Sequence, residues 1–523
     1  MTTTAATAAS APQASAAPLP RQIPYIIATE GCERFSFYGM RNILTPFLVS
    51  TLLLYLPLEE RAGAARDVFH TFVIGVYFFP LLGGWIADRL WGKYNTVLWL
   101  SMVYVAGHAC LAAFEDNRPG FYTGLFLIAL GSGGIKPLVS AFVGDQFDAS
   151  NKHRAKLVYD LFYWIINFGS FFASLLMPLF LRGFGPAVAF GIPGALMAIA
   201  LCAFWAGRKH YVRIPPAPPN PDSLLRVVRT ALLSRGDGGR RPGLWVAAAG
   251  IGFGLAALAA IPWLGFVIAA CLALGCLLAF GGCGTAMQLD RARGVHPDAA
   301  VEGVRGILRL MIVFALVTPF WSLFDQKAST WVLQGAQMAK PGWFHEAQMQ
   351  ALNPMLVLLL IPFNNLVLFP VMRRLGIEPT ALRRMGAGIA FAALAWIAAG
   401  FIQLAIDGGD PVSIAWQVLP YALLTLGEVL VSATGLEFAY SQSPPSMKGS
   451  IMSLWMLSVT FGNLWVLLAD AGIRHDAVTD WIAAAGMEEN AFLMFFFAAF
   501  AAAAALAFAL YARRYPMRDY YRA

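Results

Sequence analysis

The first apolar stretch of the chain carries four charged side chains where a membrane-spanning helix normally carries none. Glu30, Glu33, Arg34 and Arg41 fall on one helical face together with Tyr38. Each ionisable group costs roughly 3 kcal/mol to insert into a membrane, so it needs a partner, water or a function. A structural pair between Glu33 and Arg34 would neutralise two of these charges, but two acids and two bases exceed what packing needs. The stripe therefore predicts a polar cavity that handles protons or a charged solute.

Two further apolar segments contain basic side chains. His70 and Tyr77 share a face of the second predicted span, where a histidine is either a satisfied helix-end residue or a proton relay; the sequence leaves both readings open. Lys136 lies in the glycine-rich segment Gly131–Pro137, whose small residues permit close helix approach. Its ammonium needs a counter-ion, and an acid of the first span is the expected one.

The second half of the chain places acids in two more apolar spans. Asp325 follows Trp321 and Phe324 in one of them, while Glu428 and Ser432 share a helical face in another. Cations in one half and an acid in the other could hold the two ends of a zwitterion. Alternatively, one of the acids could carry a proton.

The composition requires helices in a bilayer to position these groups. Of 523 residues, 59% are hydrophobic and 13% are charged, which is unlike a soluble domain. Helices are the structures that satisfy the backbone in lipid at this apolarity. We predict an all-α membrane protein with fourteen spans, at 23–54, 67–91, 95–114, 120–147, 156–181, 186–207, 243–261, 264–288, 305–332, 349–375, 382–405, 414–442, 449–472 and 490–513.

The distribution of these spans predicts a division of the chain. A disordered tail (1–20) precedes a six-helix bundle (21–207), a proline-rich linker (208–242), a helical hairpin (243–288), a second six-helix bundle (289–515) and a short tail (516–523). The hairpin has almost no polar residues apart from small ones, so we expect it to face lipid. The linker and the final tail are expected to be cytoplasmic.

Lysine and arginine are concentrated in alternate loops, for example at Arg89, Lys93, Arg373 and Arg374. Positively charged loops resist translocation, so both termini are predicted to be cytoplasmic. The net charge of +8 then lies beside anionic lipid and does not indicate a nucleic-acid partner. The arginine-rich chain without a recognisable signal peptide indicates a multi-pass protein of a bacterial inner membrane.

Several segments resemble one family. The stretch from Glu30 to Arg41 resembles the E-x-x-E-R-F-x-Y-Y-G-x-R signature of the proton-dependent oligopeptide transporters, and Gly84–Lys93 resembles a motif of major facilitators in general. The other matching segments are Gly131–Phe147, Phe162–Ser170, Phe320–Gln326, Glu428–Ser432 and Ser441–Lys448. The resemblance covers nearly the whole chain and implies the major facilitator fold, with two six-helix bundles and an inserted hairpin.

The resemblance also implies a role for individual residues. It implies symport of di- and tripeptides with protons as the coupling ion. Separately, the chain is predicted to act as a monomer without a metal or other cofactor. Proton coupling falls to Glu30, Glu33, Arg34, Lys136 and Asp325, and His70 is a further candidate relay. The peptide carboxylate is assigned to Arg41 and Lys136, the peptide amino group to Glu428 with Asn167, Asn353 and Asn463, the cavity wall to Tyr38, Tyr77 and Tyr163, and the side-chain pockets to Trp321, Phe324, Ser432 and Trp455.

The chain departs from the family pattern at two positions. Phe37 replaces the first tyrosine of the Y-Y pair, which removes one hydroxyl, while Tyr38 keeps the second. Asn364 stands where some relatives place an aspartate opposite the arginine matched by Arg309. A salt-bridge gate at Arg309 is therefore in doubt.

The sequence is also compatible with functions other than peptide import. The same fold could carry another small solute, such as nitrate, a drug or an amino-acid conjugate, or could export its cargo. A membrane-embedded enzyme would need a catalytic constellation, and the sequence has no H-E-x-x-H, G-x-S-x-G or Walker motif. A receptor that transports nothing would not need titratable residues in both bundles. The sequence therefore favours a transporter that is not an enzyme.

Overall fold

The computed structural model describes residues 19–148, 151, 154–216, 218, 220–236, 239–442 and 447–517. Most of the predicted tails 1–20 and 516–523, and the middle of the Ser441–Lys448 motif, lie outside this part. The α-helices are α1 (Ile23–Phe47), α2 (Leu58–Ile86), α3 (Gly92–Ala113), α4 (Arg118–Gly133), α5 (Lys136–Gly144), α6 (Ala155–Phe184), α7 (Pro186–Ala206), α8 (Leu224–Leu233), α9 (Pro242–Ala259), α10 (Ile261–Leu264), α11 (Phe266–Gln288), α12 (Asp298–Asp325), α13 (Thr330–Gln337), α14 (Leu352–Phe363), α15 (Phe369–Arg374), α16 (Ala381–Asp407), α17 (Val418–Ser441), α18 (Lys448–Ile473), α19 (Asp476–Ala484) and α20 (Glu489–Ala512).

The predicted number of spans is confirmed. Twelve helical stretches in the described part of the chain are long and apolar enough to cross a membrane. One of them, Leu58–Ala113, contains both α2 and α3, which are joined at Gly92, where φ is 75°. The 25-residue helix α1 is not among the twelve, because its four charged residues lower its hydropathy. Counting α2, α3 and α1 separately gives fourteen spans.

The fourth predicted span, 120–147, differs from the observed helices. The fourth span is broken between Gly133 and Lys136 into α4 and α5, because the segment is rich in glycine and Pro137 cannot continue the hydrogen-bonding pattern. A side chain at Gly133 would come within 2.6 Å of the backbone of Phe79 on α2. The glycines thus bring α4 against α2, and the break places Lys136 at the start of α5.

The helices form two separately packed groups. In the first half, α1 packs on α6 and α7, while α3 and α2 pack on α4. In the second half, α16 packs on α17 and α20, and α12 packs on α18. Each half has its own large cluster of buried apolar residues. This arrangement agrees with two bundles, and we call them the first and second bundle; the exact domain boundaries stay a prediction.

The two bundles meet along α2 and α18, and again where α6 contacts α14 and the short 3₁₀ helix Glu346–Ala351. An even number of spans places the start of α1 and the end of α20 on the same face, which we call the terminal side. The opposite face, which carries the end of α1 and the start of α2, is the far side. We use far-side seam for the contacts between bundles at that end.

The inserted hairpin consists of α9 and α11, which pack along each other. As predicted, much of it is exposed, for example at Trp245 and Phe253. The expectation that it only faces lipid is incomplete, however, because α11 also packs on the bundles. Cys271 of α11 lies in one apolar cluster with Ile74 of α2 and Leu464 of α18. The hairpin therefore lies over the line where the two bundles meet.

Candidate functional site

Glu30, Glu33 and Arg34 form one buried cluster on α1. The Arg34 Nε atom lies 2.6 Å from Glu30 Oε1 and 3.0 Å from Glu33 Oε2, and both acids are at most 1% exposed. One guanidinium thus serves two carboxylates, and both oxygens of Glu33 lack an aligned hydrogen bond in the described part of the chain. The predicted structural pair is present, but it leaves one acid in excess.

Behind Glu33 lies a polar group that the sequence reasoning missed. Tyr104 and His108 are fully buried on α3, with their rings stacked at 5.2 Å. The Tyr104 side chain interacts electrostatically with Glu33. His108 Nε2 lies 2.9 Å from the hydroxyl of Ser36 on α1. The spacing of four residues on α3 was the available signal, since it places Tyr104 and His108 on one face.

Lys136 does not pair with an acid as expected. Within the described residues, no carboxylate oxygen lies within the 4.0 Å of an ion pair; the Nζ atom lies 3.7 Å from the ring centroid of Phe37 and 4.6 Å from that of Tyr77. Aromatic faces attract ammonium groups, so the two rings hold the charge in place. The replacement of tyrosine by Phe37 therefore keeps the π face that Lys136 contacts and removes only the hydroxyl.

A buried polar network joins the two bundles at the far-side seam. Arg41 Nη2 lies 2.7 Å from Asp325 Oδ1, and Asn463 Nδ2 donates a hydrogen bond of 2.8 Å to Asp325 Oδ2. His70 Nδ1 lies 2.6 Å from Asn463 Oδ1, and its Nε2 lies 2.9 Å from the hydroxyl of Ser329. Arg41, His70, Asp325 and Asn463 are thus one unit, although the sequence analysis assigned Arg41 and Asn463 to the peptide.

A second set of ion pairs at the same seam was not predicted. Arg66 of α2 pairs with Asp470 of α18 at 3.2 Å, and the neighbouring Asp67 pairs with Arg474 at 2.6 Å. The first pair is buried, whereas the Arg474 side chain is 52% exposed. Arg66 and Asp67, which are adjacent on α2, therefore each pair with an oppositely charged residue of the second bundle. The Arg66-Asp67 dipeptide near the end of an apolar span was the sequence signal.

Glu428 belongs to a chain of contacts that includes another residue the sequence reasoning missed. Asn353 Nδ2 donates a hydrogen bond of 2.6 Å to Glu428 Oε2, and Lys327 Nζ donates one of 2.9 Å to Asn353 Oδ1. Lys327 is 5% exposed, and its Nζ lies 3.2 Å from the ring centroid of Phe324. Lys327 directly follows the matched segment Phe320–Gln326, so the charge was visible in the sequence.

The tyrosines and Asn167 lie between these clusters. Tyr38 interacts electrostatically with Arg34 and Arg41 of its own helix and with Glu428 of the second bundle. Tyr163, which is 41% exposed, interacts with both Glu428 and Tyr38. Asn167 lies one turn away, where its amide donates a hydrogen bond of 3.0 Å to the carbonyl of Tyr163. Tyr38 and Tyr163 thus connect charges of both bundles.

The predicted aromatic pocket residues are close neighbours. Trp321 packs edge-on against Phe324, with ring centroids 5.7 Å apart, and against Trp455 at 6.0 Å. Trp321 Nε1 is buried without a hydrogen-bond partner in the described part of the chain. Ser432 lies one turn from Glu428 on α17 and is half-buried. Trp321, Phe324 and Trp455 thus form one aromatic cluster in the second bundle.

Arg309 and Asn364 do not form a charged gate. No carboxylate lies within 4.0 Å of Arg309 among the described residues, whose ion pairs are all elsewhere. Asn364 is 1% exposed, and neither polar atom of its amide has a hydrogen-bond partner in that part of the chain. Asn364 also begins a π-helical turn, Asn364–Leu368. Among the described residues, Arg309 therefore has no salt-bridge partner in this state.

The geometry can bind a zwitterion and can exchange protons. Arg41 and Lys136 supply cations from the first bundle, and Glu428 supplies an acid from the second. Tyr38, Tyr77, Lys136 and Glu428 are half-buried, in contrast to the fully buried acids of α1. The residues that the structure describes contain no group of three His, Cys, Asp or Glu that could hold a metal ion. The charged side chains described above are therefore the groups available to bind a charged solute or to exchange protons.

Comparison with known proteins identifies the family. The PTR2 family, described as the POT family, matches residues 94–470. The crystal structure of an auto inhibited POT family peptide transporter is 65% identical and has a TM-score of 0.95, covering 96% of this chain and 99% of that one. The in meso crystal structure of the POT family transporter PepTSo is 64% identical, with a TM-score of 0.94 and the same coverage.

Curated relatives agree with this assignment. Solute carrier family 15 member 2 of Oryctolagus cuniculus is 33% identical over 439 residues, which are 80% of this chain and 53% of that protein. Peptide transporter 3 of Caenorhabditis elegans is 31% identical over 407 residues, which are 74% of this chain and 51% of that protein. The chain spans about half the length of these curated relatives. The matches confirm the major facilitator fold, and the chain belongs to the POT family, whose members are membrane transporters and not enzymes.

Proposed function

We propose that the chain imports di- and tripeptides together with protons by alternating access, as a monomer without a metal or organic cofactor. The observation that carries this proposal is that charged residues of both bundles meet between the two ends of the spans. Arg41 of the first bundle pairs with Asp325 of the second at 2.7 Å, while Glu428 of the second bundle is half-buried and linked through Asn353 to Lys327. Two bundles that rock about such a site expose it to each side in turn.

A dipeptide presents one ammonium and one carboxylate at a fixed separation. In this state both polar ends of the site are already neutralised, since Arg41 is paired with Asp325 and Glu428 is linked through Asn353 to Lys327. The peptide ammonium would therefore compete with Lys327 for Glu428. Its carboxylate would meet Lys136, which has aromatic partners and no carboxylate among the described residues, or would compete with Asp325 for Arg41. Recognition of the backbone leaves the side chains of the peptide free to vary.

Protons would act on the acids that hold the bundles together. Protonation of Asp325 removes the negative charge that Arg41 and Asn463 contact, and this would loosen the far-side seam. Protonation of Glu30 or Glu33 would release Arg34 from one of its two carboxylates. His70 contacts Asn463 and would sense the same change. Proton binding and opening toward the proton-rich side would thereby be coupled.

The orientation follows from the positive loops. With both termini in the cytoplasm of a bacterial cell, the far-side seam would face the periplasm, and its ion pairs would close the transporter to the outside. Import would then begin when the pairs of that seam separate.

Uptake by proteoliposomes tests the proposal. Labelled dialanine should accumulate under an inward proton gradient, and single amino acids, longer peptides and nitrate should compete poorly. Glu33→Gln should abolish accumulation but keep counterflow, which needs no net proton movement. Glu428→Gln should weaken binding of every dipeptide to a similar extent. Stronger competition by nitrate or by single amino acids than by dipeptides would overturn the peptide assignment, and gradient-driven accumulation by Glu33→Gln would overturn the coupling role of Glu33.

A further inference from the structure

A large crevice separates the inserted hairpin from the first bundle. It has a volume of about 810 Å³ and lies between α2 and α4 on one side and α11 on the other. Its walls are almost entirely apolar, with residues such as Phe72, Phe79, Phe126, Ala270 and Leu274. The helix α11 packs closely on α9 and also contacts α8 of the linker and α12 and α18 of the second bundle, but it leaves this gap toward α2 and α4. The crevice contains none of the residues assigned to proton coupling or peptide binding, and its one charged lining residue is Asp67 of the far-side seam.

The dimensions of the crevice match one leaflet of a membrane. Along α2 it extends from Asp67 at the far-side end to Phe79, and along α11 from Phe266 to Leu277. Twelve residues of helix rise by about 18 Å. Half of the hydrocarbon core of a bilayer is about 15 Å thick. A gap of this depth with apolar walls is filled more favourably by an acyl chain than by water, because water would lose its hydrogen bonds there.

An ion pair with one half-exposed guanidinium lies at the mouth of the crevice. Asp67 lines the crevice and pairs through Oδ2 with Arg474 Nη1 at 2.6 Å. Arg474 Nε donates a further hydrogen bond to the carbonyl of Asp470. Among the described residues, no hydrogen bond uses Arg474 Nη2, and the side chain is 52% exposed. A guanidinium with a free edge at the level where a lipid carries its phosphate is complementary to that anion.

We propose that this crevice binds a membrane phospholipid. One acyl chain fills the space between α2, α4 and α11, and the phosphate contacts Arg474 at the far side. Because α2 belongs to the first bundle and α11 packs on the second, the lipid lies between two parts that move relative to each other in an alternating-access cycle. The site does not depend on which solute the chain transports.

Native mass spectrometry of the purified full chain tests the proposal. We expect about one phospholipid to be retained per chain, and diacylglycerol with the same acyl chains to be retained at least tenfold less. Ala270→Phe, which fills the crevice, should reduce phospholipid retention at least tenfold. Ala256→Phe, on the exposed face of α9 and outside the crevice, is the matched control and should retain lipid like the unmodified chain.

The phosphate contact has its own test. Arg474→Gln should remove the preference for phospholipid over diacylglycerol, and Arg474→Lys should restore part of it. Leu277→Trp obstructs the deep end of the crevice and replaces Ala270→Phe if that variant does not fold. Equal lipid retention by the crevice-filling variant and by Ala256→Phe would overturn the site. Equal retention of diacylglycerol and phospholipid by the unmodified chain would overturn recognition of the phosphate.

Discussion

Arg41 and Asp325 form an ion pair of 2.7 Å that joins α1 of the first bundle to α12 of the second. Both side chains are at most 7% exposed. Removing one partner of a buried pair leaves an uncompensated charge, which costs about 3–5 kcal/mol. Loss of either charge should therefore destabilise the closed far-side seam, and the ion pair exists only while Asp325 is ionised.

Asp325→Asn should open the far-side seam. We expect a cysteine placed at Ala328, which is fully buried beside Thr45 in the closed seam, to react at least tenfold faster with an impermeant maleimide. Asp476→Asn is the matched control, because Asp476 is exposed on α19. Unchanged reactivity in Asp325→Asn would show that the pair does not hold the bundles together. Adding Arg41→Gln should recover part of the lost thermal stability, because it removes the unpaired charge.

The two other ion pairs of this seam should differ in strength because their burial differs. Asp470→Asn leaves Arg66 unpaired and buried, and should lower the free energy of unfolding by about 3 kcal/mol. Arg474→Gln breaks a half-exposed pair, which is worth about 1 kcal/mol or less. Thermal unfolding of both variants in one detergent measures this order. Equal losses would mean that the Asp67–Arg474 pair is shielded from solvent by lipid or by a partner.

The sequence was sufficient to predict the fold class and the set of polar residues, because an ionisable group in an apolar span is a strong signal whatever its partner. It was not sufficient to predict the pairs. Lys136 was assigned to an acid of α1, but Arg34 already occupies both acids, and two aromatic rings from α1 and α2 lie nearer to the ammonium. Such choices depend on how helices distant in sequence pack together, and on the conformational state.

Lys327 shows a second limit of the sequence. A lysine just after an apolar span is usually solvated, so the sequence pattern did not predict Lys327 as a site residue. Here the 3₁₀ turn Gln326–Ala328 continues α12 and directs Lys327 toward Asn353 of α14. The direction of a side chain at the end of a helix is set by that turn. Charge and hydropathy patterns do not contain this information.

Phe37 should be important for Lys136 through its π face. Phe37→Tyr retains that face, and we expect it to keep both thermal stability and dialanine counterflow. Phe37→Leu removes a cation–π contact worth about 0.5–2 kcal/mol and should lower thermal stability accordingly. If Phe37→Leu and Phe37→Tyr behave alike, the contact of 3.7 Å contributes nothing measurable and the ammonium has another partner.

Asn353 should be required to orient Glu428. Asn353→Ala removes the hydrogen bonds to Glu428 and Lys327, and hydrogen bonds to charged groups contribute about 1.5–3 kcal/mol each. We expect dialanine binding measured by isothermal titration calorimetry to weaken at least tenfold. Asn95→Ala, at an exposed asparagine on α3, should bind dialanine like the unmodified chain. Binding within twofold of normal in Asn353→Ala would contradict the orienting role.

The far-side loop before α14 should respond to mild acid. His345 Nδ1 accepts a hydrogen bond of 3.2 Å from the backbone of Ala347 and so begins the 3₁₀ helix Glu346–Ala351. The next turn reaches the first bundle, because Gln348 donates a hydrogen bond to the carbonyl of Leu175. Burial lowers the pKa of His345, and this is opposed by the charge of Glu346. The folded protein therefore favours the neutral imidazole.

The sign of the pH effect follows from that shift. Well above pH 6.5, which is about the ordinary pKa of histidine, the imidazole is neutral in both the folded and the unfolded chain. As the pH falls below this value, the unfolded chain takes up a proton that the folded chain does not, so stability falls. His345→Asn keeps a side-chain acceptor for Ala347 but cannot titrate. Between pH 7.5 and 5.5 its melting temperature should therefore decrease less than that of the unmodified chain, and parallel pH profiles would exclude His345 as the titrating group.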